Sequence, residues 1–170
     1  MHIERLQLKN FRNIESINAS IKDSWVIVSG NNAQGKTNLL EALYIASTGQ
    51  SFRKSLLDDL IKDGCHKASI RCQIIKQNVR HQIDIDLQKT KRSISVDDKP
   101  LRSLTKLLSI MNIVAFFPDD LMLVKGSPEG RRKFLDRCAL SFFPESVKNF
   151  KAFRRSLKER NSILRKYQRN

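Results

Sequence analysis

Trp25-Val26-Ile27-Val28-Ser29-Gly30-Asn31-Asn32-Ala33-Gln34-Gly35-Lys36-Thr37-Asn38-Leu39-Leu40-Glu41-Ala42 is the stretch whose reading decides the fold. The apolar run Trp25 to Val28 reads as a short strand, Ser29-Gly30 opens a turn, and a helix follows. Between them, Gly30 to Thr37 fits G-x-x-x-x-G-K-[ST] at every fixed position, in the strand–loop–helix setting that gives the pattern its meaning. Gly30 and Gly35 allow backbone turns closed to other residues and a close approach to polyphosphate. The N–H groups of Asn31, Asn32, Ala33, Gln34 and Gly35 can then face an anion, backed by the positive end of the helix that starts near Lys36. Lys36 supplies a point charge for the β- and γ-phosphates, the Thr37 hydroxyl is placed for Mg²⁺, and Asn38 completes the candidate site. Leu39, Leu40, Leu43 and Ala46 form an apolar stripe at helical spacing, and Gly49 stands where the helix stops. Chance would produce the octapeptide in roughly one chain of this length in a few hundred. ATP and Mg²⁺ are therefore the expected cofactors.

The 170 residues can bury about 70% of their unfolded surface. Lys and Arg number 32 against 17 acids, a formal charge of +15, with a pI near 10.1. That imbalance favours a polyanionic partner, nucleic acid first and an anionic membrane surface second. Cys65, Cys72 and Cys138 include no C-x-x-C pair, so they read as reduced, mostly buried thiols rather than a disulfide framework or a zinc site. His2, His66 and His81 are scattered. No apolar run approaches membrane-spanning length and no secretory leader opens the chain, so a soluble, cytoplasmic protein is expected.

Outward from the loop, residues 2–9 alternate as in a half-covered strand, and Leu8 to Ile14 leads into a second short strand. Residues 54–63 read as a short amphipathic helix ending at Gly64. From His66 to Val96 the period is two: Ile70, Cys72 and Ile74, then Ile83, Ile85 and Leu87, then Ile94 and Val96 mark three antiparallel strands. Leu101 to Ile110 reads as helix. Ile113 to Phe117 is an apolar run closed by Pro118-Asp119-Asp120 and open to two readings. One is a strand whose Asp119 or Asp120 holds Mg²⁺; the other is a helix start carrying acids for dipole reasons.

Pro128 and Glu129 suit the first turn of a further helix. Its cations Arg131, Arg132 and Lys133 are either a solvated face or a phosphate or interface contact. From Pro144 the chain reads as a long helix, with Phe150, Phe153, Leu157, Leu164 and Tyr167 on a 3-4 repeat in which Arg160 takes one place. Such a seam wants a partner helix. From Lys125 onward the net charge is +10, against +5 before it, so the basic excess lies on this helical arm. A charge that dense suits DNA phosphates. The candidate DNA contacts are Arg53, itself open to a surface-charge reading, with Arg131, Arg132, Lys133, Arg154 and Arg155. The expected division is a nucleotide-binding lobe over residues 1–124 and a basic arm over 125–170.

Three stretches together resemble the RecF family of DNA replication and repair proteins: Leu8 to Asn13, Gly30 to Arg53, and Pro118 to Asp136 with Leu121-Met122-Leu123-Val124-Lys125-Gly126-Ser127-Pro128 within it. The resemblance implies an α/β fold, a P-loop NTPase of the ABC/SMC-head type, with an antiparallel β-lobe and the start of a helical arm. It implies that Asp119 and Asp120 lie where such heads carry their Q-loop, sensing γ-phosphate and metal. It further implies ATP-dependent homodimerisation, binding to single-stranded DNA or its junctions with duplex, and loading of recombinase at gaps with RecO and RecR. A complete head also needs a Walker B strand and a signature loop, and nothing after Asp120 offers either. The chain is thus expected to be the N-terminal part of a longer protein, with no complete catalytic set and negligible hydrolysis alone. The rival expectations are a DNA-binding module with a non-catalytic P-loop, and a P-loop kinase or GTPase using Asp119 or Asp120 as metal ligand.

Overall fold

The fold is described from a computed structural model, which defines residues 1–53, 55–101, 103–117, 120 and 122–167. The chain forms two compact units, Met1–Ala115 and Phe116–Asn170.

The first unit is built on one antiparallel sheet, in spatial order β2-β1-β3-β4-β5-β6. Its strands are β1 (His2–Phe11), β2 (Ile14–Ser20), β3 (Lys67–Lys76), β4 (Val79–Gln88), β5 (Arg92–Val96) and β6 (Lys99–Pro100). Register follows the apolar alternation: Leu6 lies opposite Cys72 and Leu8 opposite Ile70, while Cys72 meets Ile83 and Ile70 meets Ile85. A one-residue slip would turn every one of these side chains to the other face, so the pattern fixes the pairing. Leu6, Ile70, Cys72, Ile74, Ile83, Ile85 and Leu87 are almost wholly buried, each of the larger ones contributing about 1.5–3 kcal/mol. On the opposite face Arg71 forms an ion pair with its cross-strand neighbour Asp84. Two-residue turns join β3 to β4 and β5 to β6. Gln77, Asn78, Asp97 and Asp98 all take positive φ there, the geometry whose twist matches the strands.

Helix α1 (Lys36–Thr48) covers the apolar face through Ala42, Ile45 and Ala46, and ends at Gly49, whose left-handed backbone donates to the Ile45 carbonyl. Helix α2 (Leu104–Ile110) adds Leu107, followed by Met111, whose carbonyl accepts from the Ser47 hydroxyl at 2.9 Å.

Four sequence expectations change here. Trp25 to Val28 is not a strand: the segment joins no ladder among the described residues, and Trp25 and Ile27 are 90% and 92% exposed. Ile113 to Phe117 likewise lies outside any strand, with Val114 exposed. Apolar runs become strands only where a neighbouring strand completes their hydrogen bonds, and the sheet edges β2 and β6 lie elsewhere in the chain. Residues 55–63 hold a single 3-10 turn, Asp58–Leu60, rather than an amphipathic helix, because Leu60 and Ile61 are drawn into the core and Ile61 bridges to Phe11. The buried face of α1 runs through Glu41, Ala42, Ile45 and Ala46, leaving Leu40 half exposed.

The second unit comprises α3 (Met122–Lys125), α4 (Pro128–Phe142) and α5 (Val147–Tyr167). Pro128 stands in the first turn of α4 with Glu129, as the sequence predicts. Along α5, Phe153, Leu157, Leu164 and Tyr167 are exposed.

Candidate functional site

The loop between Val28 and α1 is shaped by local residue choice. Gly30 and Gly35 take φ of 143° and 94°, and Ala33 takes 64°. Asn31 to Gln34 lie exposed, so the loop is open to a ligand. Gly35 is required on two grounds. Its φ is left-handed, and a Cβ there would come within 2.8 Å of the Asn13 side-chain oxygen and 3.2 Å of Ile14.

Lys36 folds its side chain back over the loop. Its ammonium donates to the carbonyl of Gly30 at 2.8 Å and that of Asn31 at 2.6 Å. An ammonium has three N–H donors, so two secure the loop's curvature and one is left for an oxyanion. The residues present therefore fit a phosphate chain: a glycine-rich turn at the start of a 13-residue helix, a cation with a donor in reserve, and an exposed hydroxyl on Thr37.

Behind the loop stands a buried ionic cluster that periodicity alone does not reveal. Glu41 is wholly buried on α1. Arg12, from the turn between β1 and β2, grips it with two hydrogen bonds, Nε to Oε2 at 3.1 Å and Nη2 to Oε1 at 2.8 Å. The same guanidinium donates to the Asp59 carbonyl at 2.8 Å and to the Ser55 hydroxyl. Ser51 also donates to Glu41. Arg53 holds Glu41 loosely at 3.5 Å, donates to Asn38 Oδ1 at 2.9 Å, and lies over the Phe52 ring. One carboxylate thus gathers two guanidiniums beside the phosphate loop, a local excess of positive charge. The sequence signal was a Glu set among Leu40, Ala42 and Ile45: a charge on a buried helix face demands a partner.

The remaining candidates fall in the second unit. Asp119 lies outside the described residues. Asp120 accepts from the Phe117 N–H at 2.8 Å and returns its own N–H to the Phe117 carbonyl, closing a turn. Arg131 donates to the carbonyls of Leu123 and Gly126, Arg132 is exposed, and the Lys133 side chain lies outside the described residues. Arg154 pairs with Asp136 at 3.2 Å and Arg155 with Glu159 at 2.9 Å. The structure brings Gly30, Asn31, Lys36, Asn38 and Arg53 into one neighbourhood, and leaves Asp120 and the arm cations in a separate unit.

A glycine-framed phosphate loop opening a helix that packs on an antiparallel lobe is the arrangement of the P-loop ATPase fold, and the chain belongs to the AAA ATPase domain family, whose model matches residues 1–169. Within that class RecF proteins are among its relatives. It is 38% identical to the DNA replication and repair protein RecF of Clostridium novyi over the whole chain and 47% of that protein. It is 35% identical to that of Bacillus thuringiensis, over 45% of its length. A structure described as the recombination mediator protein RecF with ATP in the RecFOR pathway superposes with a TM-score of 0.86 at 29% identity, covering 97% of this chain and 46% of that one. The SMC head domain of Thermotoga maritima shares the fold, with a TM-score of 0.52 over 68% of this chain and 43% of that one. The resemblance to the RecF family drawn from Leu8 to Asn13, Gly30 to Arg53 and Pro118 to Asp136 therefore holds, as does the ABC/SMC-head fold class. The chain spans a little under half the length of the curated relatives it matches. No helix among the described residues is long and apolar enough to cross a membrane.

Proposed function

We propose that this chain is the ATP-binding portion of a RecF-type DNA repair protein. The observation that carries the reading is the Lys36 ammonium, held by two loop carbonyls with one donor in reserve. The loop amides from Asn31 to Gly35 and the start of α1 would bind the phosphate chain, and Lys36 would neutralise its β- and γ-oxygens. Thr37 would hold Mg²⁺, which would supply positive charge against the polyphosphate. Asp119 and Asp120 are proposed as further metal or γ-phosphate sensors.

The basic arm from Lys125, with Arg131, Arg132, Lys133, Arg154 and Arg155, is proposed to meet single-stranded DNA or its junction with duplex, and Arg53, in the first unit, is proposed as a DNA contact in its own right. Support comes from the concentration of charge on the arm and from relatives named for DNA replication and repair. By kinship with structures placed in the RecFOR pathway, the partners proposed are RecO and RecR, the assembly an ATP-dependent homodimer, the role recombinase loading at gaps, and the compartment the cytoplasm. Weak DNA-dependent ATPase activity is proposed for a complete member of the family, and negligible hydrolysis for these residues alone.

Titration calorimetry with ATP and Mg²⁺ tests the nucleotide site. The wild-type chain should bind, and Lys36→Ala should lose binding while keeping its far-ultraviolet circular dichroism and melting temperature. Equal affinity in the two proteins would overturn the assignment.

A further inference from the structure

From the hairpin turn we infer that Asn13 is a positioning residue for the phosphate loop, a role that rests on the nucleotide-binding reading above. Its carboxamide reaches from the β1–β2 turn to the loop at two points and to the start of α1 at a third. The amide nitrogen donates to the Ala33 carbonyl at 2.7 Å. The oxygen accepts from the Asn38 side chain, in the first turn of α1, at 2.8 Å. That same oxygen lies so close over Gly35 that no Cβ fits between them.

The consequence follows from peptide geometry. The C=O and N–H of one planar trans peptide point in opposite directions. With the Ala33 oxygen held by Asn13, the Gln34 N–H faces away from the hairpin, on the side where phosphates would lie. Ala33 takes a left-handed backbone, φ 64°, which an alanine rarely holds unaided. Asn13 is thus a brace that keeps one loop amide aimed before the anion arrives, so that little ordering is left for binding to accomplish. The neighbouring Arg12, locked on the buried Glu41, fixes the turn from which Asn13 reaches.

The experiment compares wild-type chain, Asn13→Ala and Asn13→Asp by calorimetry with ATP and with adenosine. It adds ¹⁵N relaxation of the Ala33, Gln34 and Gly35 amides. Asp has the size of Asn and keeps the acceptor for Asn38, but it cannot donate to the Ala33 carbonyl. Both variants should bind ATP about five- to tenfold more weakly, adenosine affinity should not change, and only the loop amides should gain picosecond–nanosecond motion. Restoration by Asp, or unchanged loop relaxation with unchanged ATP affinity in both variants, overturns the inference. Should an Asn13 variant fail to fold, Asn38→Ala removes one support of the brace and should cost a smaller loss of ATP affinity; no loss there counts against it. Failure of the wild type to bind ATP would sink the nucleotide reading itself, and the loop relaxation would still report on the brace.

Discussion

The pair with most at stake in the molecule is Arg12 with Glu41. Glu41 has no exposed surface, and Arg12 spends two of its hydrogen bonds on it at 3.1 and 2.8 Å. A paired buried charge contributes little net stability, but removing one partner strands the other in a low-dielectric site at a cost of about 3–5 kcal/mol. Arg12→Ala leaves Glu41 with Ser51 and the distant Arg53, so it should destabilise by about 3 kcal/mol. Glu41→Gln, which keeps the shape and discards the charge, should cost less. Urea denaturation of the two variants reads both values. A loss under 1 kcal/mol for Arg12→Ala would mean that water or Arg53 takes over the carboxylate. Cys72 shows the same burial acting on a lone thiol: removal from water pushes its pKa up to about 12, so it stays protonated and inert in the folded sheet.

Among the elements, those whose own residues decide them were legible and those that need a distant neighbour were not. The strands from Lys67 to Val96 follow from alternation in Ile70, Cys72, Ile74, Ile83, Ile85 and Leu87, because each residue reports its own face. Helix α1 follows from Gly35 and Gly49 at its ends. Trp25 to Val28 misled because apolar composition says what a segment could pair with, not whether a pairing strand is present. Glu41 stands in the first half of α1, yet its partner is 29 residues away in a hairpin turn; no periodicity carries that information.

The β5–β6 turn carries an acid-sensitive carboxylate, Asp97. Burial pushes the Asp97 carboxyl up, but hydrogen bonds from His81 and the Gln82 N–H more than offset it, and the pKa falls below the usual 3.8. A depressed folded value means stability that is full above the unfolded pKa and lost as pH falls through the folded one. Stability measured from pH about 6 to about 2 should therefore fall more gently in Asp97→Asn than in wild type. Parallel curves would show that the turn contributes nothing to acid sensitivity.

At the scale of the whole chain, charge is divided unevenly. From Lys125 onward the sequence carries +10, and the ion pairs made there by α5 are exposed: the Arg154 and Arg155 side chains are 63% and 83% accessible. Exposed pairs of this kind are worth about 0–1 kcal/mol, so Asp136 and Glu159 can be exchanged for phosphates at little cost. Each phosphate neutralised on single-stranded DNA releases counterions and steepens the logarithmic salt dependence of affinity by about 0.7. If the proposed DNA path crosses α5, replacing Arg154 and Arg155 with Gln should weaken oligonucleotide binding at low salt and make the slope shallower by about 1.4. Fluorescence anisotropy over a salt series measures both. The same substitutions should leave ATP affinity unchanged, because the phosphate loop belongs to the other unit. An unaltered slope would move the DNA path off this helix and onto cations elsewhere, with Arg132 the first to test.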